Sequence, residues 1–580
     1  MFKKIKPYMG EYIKYTYMAL GVMFAGLIAS VIPFFIVYQI INPLLDGIIL
    51  PASYYVIHVA TILICEIAYT ILYVRGLKFS HISAYNTLKN IRISLQKKLE
   101  RQPLGTIQDM GNGKIKKLFT DDIEQIEILL AHAIPEGIAN LSIALIAVIC
   151  MFFADWKLAL LSLGSLPLGL LAMGMMFKAG MKRMNAYYAA SAKMNATIIE
   201  YVNGMEVVKV FGRDGESYQR YETDVKNYRD FTLAWYKVCW PWMAIYSAIL
   251  PCVALVMLPV GTLFVINGIS TLADLVLVFC LSLSIGTPLL KALAFAGKFP
   301  QLGYKIDELE KAMDSTPLKS DEHAFTGISH DVQFEDIHFA YKDQEVLHGV
   351  SLELKEGTLT ALVGESGSGK STLAKLLVHY YDLNGGRITL GGQDITDMSI
   401  EALNDNISYV SQEQFLFNTT LYDNILIGNP DANREQVLAA AEKAQCNEFL
   451  KRLPDGIETM AGDGGKQLSG GERQRISLAR AILKNAPVIV LDEATAFIDP
   501  ENEEKMNAAI AEIIRGKTVL VIAHRLQTIV NADKICVMKD GEIISADTHE
   551  NLLKECKEYQ KLWSSSEARA SWRIGNEVEV

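Results

Sequence analysis

Residues 358 to 371 read Thr358-Leu-Thr-Ala-Leu-Val363 followed by Gly364-Glu-Ser-Gly-Ser-Gly-Lys-Ser371. A buried strand, a Gly-x-x-x-x-Gly-Lys-Ser loop and the helix Thr372 to His379 make a device for holding polyphosphate. Gly364, Gly367 and Gly369 allow the backbone to turn successive amides, with those of Glu365, Ser366 and Ser368 among them, toward phosphate oxygens. The helix start at Thr372 adds a favourable dipole. Lys370 is then expected to reach the β- and γ-phosphates of ATP, and Ser371 a Mg²⁺ ion.

A second apolar strand, Val488-Ile-Val-Leu491, ends in Asp492 and Glu493. Four apolar residues followed by two carboxylates suit a strand tip that meets the metal and the attacking water, with Asp492 on the metal and Glu493 as base or water orienter. In isolation, an acidic pair opening a helix is the lesser, alternative reading. A third strand, Thr518 to Ala523, delivers His524 to its tip, where an imidazole can meet a γ-phosphate, although a lone histidine is more often structural.

The segment Leu468-Ser-Gly-Gly-Glu-Arg-Gln-Arg475 places two glycines at the start of a helix expected over Glu472 to Leu483. With it the chain resembles the ATP-binding cassette (ABC) transporter family over essentially its whole length. The resemblance implies that Ser469, Gly470 and Gly471 form the signature completing the ATP site of the opposite subunit. It also implies that Tyr341 stacks on adenine, that Gln412 is the Q-loop glutamine serving metal and hydrolysis, that Asp499 is the D-loop aspartate, and that His524 is the switch histidine. Six spans ahead of one cassette resemble a half-transporter of the exporter fold, with Gly113 to Asp122 and Tyr201 to Phe211 similar to its coupling helices. After Glu493-Ala-Thr the sequence Ala496-Phe-Ile-Asp499, with Pro500-Glu-Asn-Glu503, departs from the common Ser-Ala-Leu-Asp and resembles a siderophore-uptake subgroup of that fold.

The elements ahead of the cassette follow from charge-free windows, since about 20 residues at 1.5 Å rise cross ~30 Å of hydrocarbon. Residues 15–45, 137–154, 158–177 and 238–273 carry no Asp, Glu, Lys or Arg, 47–74 carry only Glu66, and 275–290 continue past Lys291. The fold class is therefore an all-α six-helix transmembrane domain followed by an α/β P-loop nucleotide-binding domain. The expected layout is a transmembrane domain over 1–300 with helices near 15–42, 52–75, 128–153, 157–178, 240–266 and 271–296, a linker over 301–330, the cassette over 331–566 and a tail over 567–580. With about 14 residues before the first span, no peptidase or siderophore-reductase extension is expected ahead of it.

Lys and Arg cluster before the first span and from Arg75 to Lys117, whereas the short connections near 42–53, 154–157 and 267–273 hold only Lys157. The positive-inside rule then puts both termini in the cytoplasm, as a multi-pass protein of the cytoplasmic membrane. Of 580 residues, 51% are apolar and 21% charged, with net charge −10. Residues 1–330 carry 30 basic against 25 acidic side chains (+5) and residues 331–580 carry 25 against 40 (−15), a balance that gives no support to nucleic-acid binding. The eight cysteines are widely spaced, with none at metal-ligand or redox spacing.

Two carboxylates stand within apolar stretches, Glu66 in the second span and Glu136 at the start of the third. Glu66 lies twelve residues after Tyr54, about 18 Å along a helix, and must face a partner or a wet cavity. Glu66 and Glu136 either pair with neighbouring helices or line a substrate cavity whose apolar wall is Trp240, Trp242 and Tyr246. The function expected is ATP-driven translocation of an amphipathic organic solute by a homodimer or paired heterodimer embedded in lipid. Import of an iron-siderophore and an ATP-gated channel are the alternatives, and an intact Glu493 favours turnover.

Overall fold

The structure, a computed structural model, describes the chain except residues 212–213, 297, 315, 343, 413, 493–507, 524 and 572–580; side chains at 185, 188, 211, 214–218, 296, 300 and 568–571 are also outside the description. It divides into two compact units, Met1–Lys98 with Gly113–Ser315, and Leu99–Asn112 with Thr316–Val580.

The first unit is helical. Among the described residues, Phe2–Leu45, Ala52–Glu100, Asn112–Ala154, Trp156–Met184 and Leu272–Phe295 are long and apolar enough to cross a membrane. The expected span over 240–266 is not one straight helix: Gln219–Ile249 and Ala254–Ile266 meet at a 40° bend, and the count reaches six if this bent pair is one span. The bend holds Pro251, which lacks an amide hydrogen, and Gly286 lies so close that a Cβ there would meet the Pro251 Cα at 2.6 Å. Met23, Leu27, Ile143, Met151, Met257 and Leu281 belong to the shared core. Asp155 turns the chain between two spans, accepting hydrogen bonds from the amides of Lys157 at 2.8 Å and Leu158 at 3.4 Å and thereby capping the helix Trp156–Ser162.

The expected linker over 301–330 begins instead as the helix Phe299–Asp314, part of the first unit. Its buried Leu302, Ile306, Leu309 and Ala312 recur at helical spacing, hidden in the sequence among charged neighbours. Those charges also hold it: Lys4 meets Asp307 at 2.8 Å, Lys114 meets Glu308 at 3.1 Å, and Lys305 meets Asp122 at 2.8 Å with both side chains largely buried.

The second unit is built on two sheets. Ten strands are described: β1 Val332–Tyr341, β2 Gln344–Leu354, β3 Leu359–Val363, β4 Gly385–Leu390, β5 Gln393–Asp394, β6 Ile407–Val410, β7 Val488–Asp492, β8 Thr518–Ile522, β9 Lys534–Lys539 and β10 Glu542–Asp547. The larger sheet runs β10-β9-β3-β8-β7-β6, parallel except for the antiparallel β9–β10 edge; the smaller is antiparallel, β2-β1-β4-β5. Strands β3 and β7 are almost wholly buried, and so read as continuous apolar runs.

The stretch Gly113–Asp122, expected to be a coupling element, belongs to the first unit, and within the cassette unit the helix Leu104–Met110 packs on the strands and loops of that unit. Its Leu104 amide donates to the Tyr380 carbonyl at 2.8 Å, the Tyr381 hydroxyl donates to Gln108 Oε1 at 3.3 Å, and Lys342 pairs with Asp109 at 3.0 Å. The expected second element ends in a separate short helix, Met205–Phe211, which follows a break at Gly204.

Candidate functional site

Strand β3 ends at Val363, and the loop that follows depends on its glycines. Gly364, Gly367 and Gly369 have φ of 154°, 86° and 97°. A Cβ on Gly364 would meet the Met538 carbonyl oxygen at 2.2 Å, and one on Gly369 would meet Leu347 Cδ2 at 2.6 Å. At Gly364 the obstruction is backbone and excludes a side chain on steric grounds alone, whereas at Gly369 the left-handed φ is the stronger demand for glycine. The loop opens directly into the helix Lys370–Leu377, so the loop and the positive dipole end of the helix adjoin.

Lys370 is 5% exposed and its ammonium donates to the Gly364 carbonyl at 3.0 Å, the Glu365 carbonyl at 2.8 Å and the Ser368 hydroxyl at 3.1 Å. Ser371 Oγ donates to Asp492 Oδ1 at 3.0 Å across 121 residues of sequence. The sheet order explains the meeting: β7, which ends at Asp492, lies one strand from β3, with β8 between. The other oxygen of Asp492 accepts from the Tyr409 hydroxyl at 2.9 Å. Burial and the adjacent Asp492 carboxylate push the Tyr409 phenol far above its ordinary range, so it remains a donor. A hydroxyl and a buried carboxylate form a hard-oxygen donor pair that suits Mg²⁺.

A cleft of about 320 Å³ runs along this loop, lined by Tyr341, Val346, Gly367, Lys370, Ser371 and Thr372 among others. Tyr341 stands at its wall, edge-on to Phe339 with centroids 4.9 Å apart and to Tyr381 at 5.3 Å, and its hydroxyl lies 3.3 Å from Thr372 Oγ1. The Tyr381 phenol is pushed up to about 12, chiefly by burial. Gln412 is exposed, two residues past β6, whose Val410 lies in register with Leu491 of β7. Glu493, Asp499 and His524 lie outside the described residues.

Ser469 caps the helix Gly470–Lys484: its Oγ accepts from the Glu472 amide at 3.3 Å and Glu472 Oε2 accepts from the Ser469 amide at 2.9 Å. A Cβ on Gly470 or Gly471 would meet nothing within 4 Å. The packing of this chain therefore does not require those two glycines. No residue of Leu468–Glu472 lines the 320 Å³ cleft beside Lys370.

The first unit holds a larger cavity, about 530 Å³, whose lining includes Met176, Met181, Met184, Trp235, Trp240 and Tyr246. Two of the three expected aromatic residues, Trp240 and Tyr246, are there; the half-buried Trp242 is not, nor are Glu66 and Glu136. Glu136 is instead engaged by neighbours, accepting from the Tyr73 hydroxyl at 2.7 Å and meeting His132 Nδ1 at 2.5 Å. Glu66 is exposed on the helix Ala52–Glu100. Sequence reasoning missed Trp235, Tyr236 and the methionines, although Met173, Met176, Met181 and Met184 recur at spacings of three to five residues. It also missed Tyr409, which shares the short strand Ile407–Val410 with a second hydroxyl residue, Ser408, and so carries no distinguishing signal.

Residues 347–496 match the ABC transporter domain and residues 15–289 the ABC transporter transmembrane region. Among curated relatives, the mycobactin import ATP-binding/permease protein IrtA of Mycolicibacterium smegmatis is 35% identical over 84% of this chain and 57% of its own length. The ATP-dependent lipid A-core flippase of Legionella pneumophila strain Paris is 32% identical over 86% of this chain and 84% of its own. The chain thus spans little more than half the length of the mycobactin importers it matches. A solved bacterial Atm1-family ABC exporter with ATP bound is similar with a TM-score of 0.76 and 25% identity, covering 97% of this chain and 98% of that one. With a glycine-rich loop opening a helix, a capped helix at Gly470–Lys484 and a helical unit long and apolar enough to cross a membrane in one polypeptide, the chain is an integral membrane protein and belongs to the ABC transporter family, as a membrane domain fused to one ATP-binding cassette.

Proposed function

We propose that two such chains form an ATP-driven transporter that carries an amphipathic organic solute across the cytoplasmic membrane, with both termini on the cytoplasmic side. The observation that carries the solute class is the 530 Å³ cavity, whose methionine and aromatic lining offers adaptable apolar surface with few fixed polar groups. Orientation rests on the Lys and Arg that follow the second span and are nearly lacking from the opposite connections.

Lys370 and the loop amides hold the β- and γ-phosphates of ATP, and Tyr341 receives the adenine. Ser371 and Asp492, with Gln412, would hold Mg²⁺, which when bound neutralises phosphate charge. In this reading the roles of water-holding group, γ-phosphate contact and inter-cassette aspartate fall to Glu493, His524 and Asp499. The open surface at Gly470 and Gly471, beside a capped helix start, supports a signature that serves the partner's ATP. A second copy satisfies this arrangement, as does a closely paired homologue. Within the span of Ala52–Glu100, none of the most apolar window is buried by its own chain, in keeping with a helix that packs on a partner and on lipid.

Direction has two readings. Export accords with the flippase and exporter relatives; import of a metal-siderophore accords with the mycobactin importers and with Ala496-Phe-Ile-Asp499. Proteoliposomes sorted by orientation and supplied with ATP on the cassette side separate them by the sign of accumulation. Equilibration without accumulation, as a gated channel gives, would refute the pump.

A further inference from the structure

At the inner end of the apolar spans, three side chains from separate elements converge. His81 lies on the long helix Ala52–Glu100, six residues beyond Arg75 and so about 9 Å past it. Glu127 closes the helix Ile123–Glu127, and His132 lies in the π-helical turn Ile128–Ala133 that follows. One donor atom from each lies within 4.8 Å of the other two. His81 Nδ1 is 3.2 Å from Glu127 Oε1, and His132 Nε2 is 4.0 Å from the same oxygen.

Three further features prepare this group for a cation. Glu136 meets His132 Nδ1 and accepts from Tyr73; a carboxylate on Nδ1 takes the hydrogen there and leaves Nε2, on the Glu127 side, to bind a cation. A carboxylate behind a ligating imidazole fixes the tautomer and raises its basicity. The π turn, seen in the Ile134 amide bonding the Leu129 carbonyl at 3.0 Å, re-aims His132 relative to an ordinary helix. The His81 ring is stacked on Tyr85 with a 19° interplanar angle, which restricts its rotation. Tetrahedral coordination with bonds near 2.0–2.1 Å sets ligand atoms about 3.3 Å apart, so closure needs only about 1 Å of side-chain movement.

We infer that His81, Glu127 and His132 bind a divalent first-row transition metal ion, with Glu136 and Tyr73 as positioning residues. Two imidazoles and one carboxylate suit zinc or ferrous iron and leave a coordination position open. The ion fastens the second-span helix to the segment entering the third span, across 45 residues of intervening chain between His81 and Glu127. This inference stands apart from the transported solute and from ATP chemistry.

The test uses the full chain, stripped with a chelator and reconstituted in nanodiscs, titrated with zinc against a chromophoric competitor. One zinc ion per chain is expected, with affinity lowered at least about tenfold by His81→Gln or His132→Gln and 10- to 100-fold by Glu136→Gln. Unchanged ATP affinity in the histidine variants shows them folded; equal zinc binding by wild type and the folded double variant overturns the assignment. Should the variants fail to fold, the cobalt spectrum of the wild type decides. Visible ligand-field bands without thiolate charge transfer support the site, and either no bands or a thiolate band overturns it.

Discussion

Replacing Gly105 by alanine should uncouple ATP use from transport. A Cβ at Gly105 would lie 2.4 Å from Tyr381 Cε1 and 3.2 Å from its Cδ1. An ordinary contact starts near 3.4 Å, so one partner must yield about 1 Å. Tyr381 cannot yield readily: it is 8% exposed and flanked by Phe339 at 5.5 Å and Tyr341 at 5.3 Å between centroids. The helix Leu104–Met110 must therefore lift, loosening the Leu104–Tyr380 bond of 2.8 Å and the Lys342–Asp109 pair of 3.0 Å. Overpacking of this kind costs about 1–3 kcal/mol, a factor of about 5–150 in the docked population. The assay is solute moved per ATP hydrolysed in proteoliposomes. We expect that ratio to fall in Gly105→Ala at nearly unchanged ATPase rate, and Gly105→Ala to add little further loss in a Tyr381→Ala background, because the obstructing ring is gone. An unchanged ratio, or strict additivity of the two substitutions, would refute the docking role.

Lys370→Ala removes a buried ammonium that three oxygen acceptors position, and fluorescent nucleotide titration should show ATP affinity reduced by about 1.5–3 kcal/mol, or roughly 10- to 150-fold. Glu493→Gln should bind ATP normally yet hydrolyse it orders of magnitude more slowly, measured by single-turnover phosphate release; near-normal turnover counts against Glu493 as the water-holding group. Tyr409→Phe strips one donor from the buried Asp492 and should lower cassette stability by about 1–3 kcal/mol, seen as an earlier thermal transition. Trp240→Ala should raise the solute concentration for half-maximal ATPase stimulation about tenfold through lost apolar contact, while Trp242→Ala, outside the cavity lining, should change it less than about twofold.

The strand, glycine-rich loop and helix of residues 359–377 were legible because their geometry is local: glycines at positive φ and an apolar strand leave their mark on consecutive residues. The spans were legible for a similar reason, since hydrocarbon excludes charge along a whole window. What escaped depends on rotation about helix axes or on distant partners. Whether Glu136 faces a cavity or Tyr73 is a matter of azimuth, and charge-free counting has none. Apolar windows also run straight through the bend at Pro251, where backbone hydrogen bonding, not hydropathy, changes. Leu104–Met110 is seven residues of mixed polarity, too short to carry a period; only the preceding Gln102-Pro103 marked a stop. The linker misreading arose because salt-bridged charges masked the four buried residues of Phe299–Asp314.

The helix Ala52–Glu100 runs 49 residues without interruption. At 1.5 Å per residue it is a shaft about 73 Å long, so a tilt of about 5° at one end displaces the other by roughly 6 Å. Small rotations can thus become large strokes without bending any hydrogen-bonded turn. Gearing of this kind makes the shaft's stiffness a mechanical parameter in its own right: a glycine pair inserted midway, between the apolar span and Glu100, should shorten the stroke while leaving both ends folded.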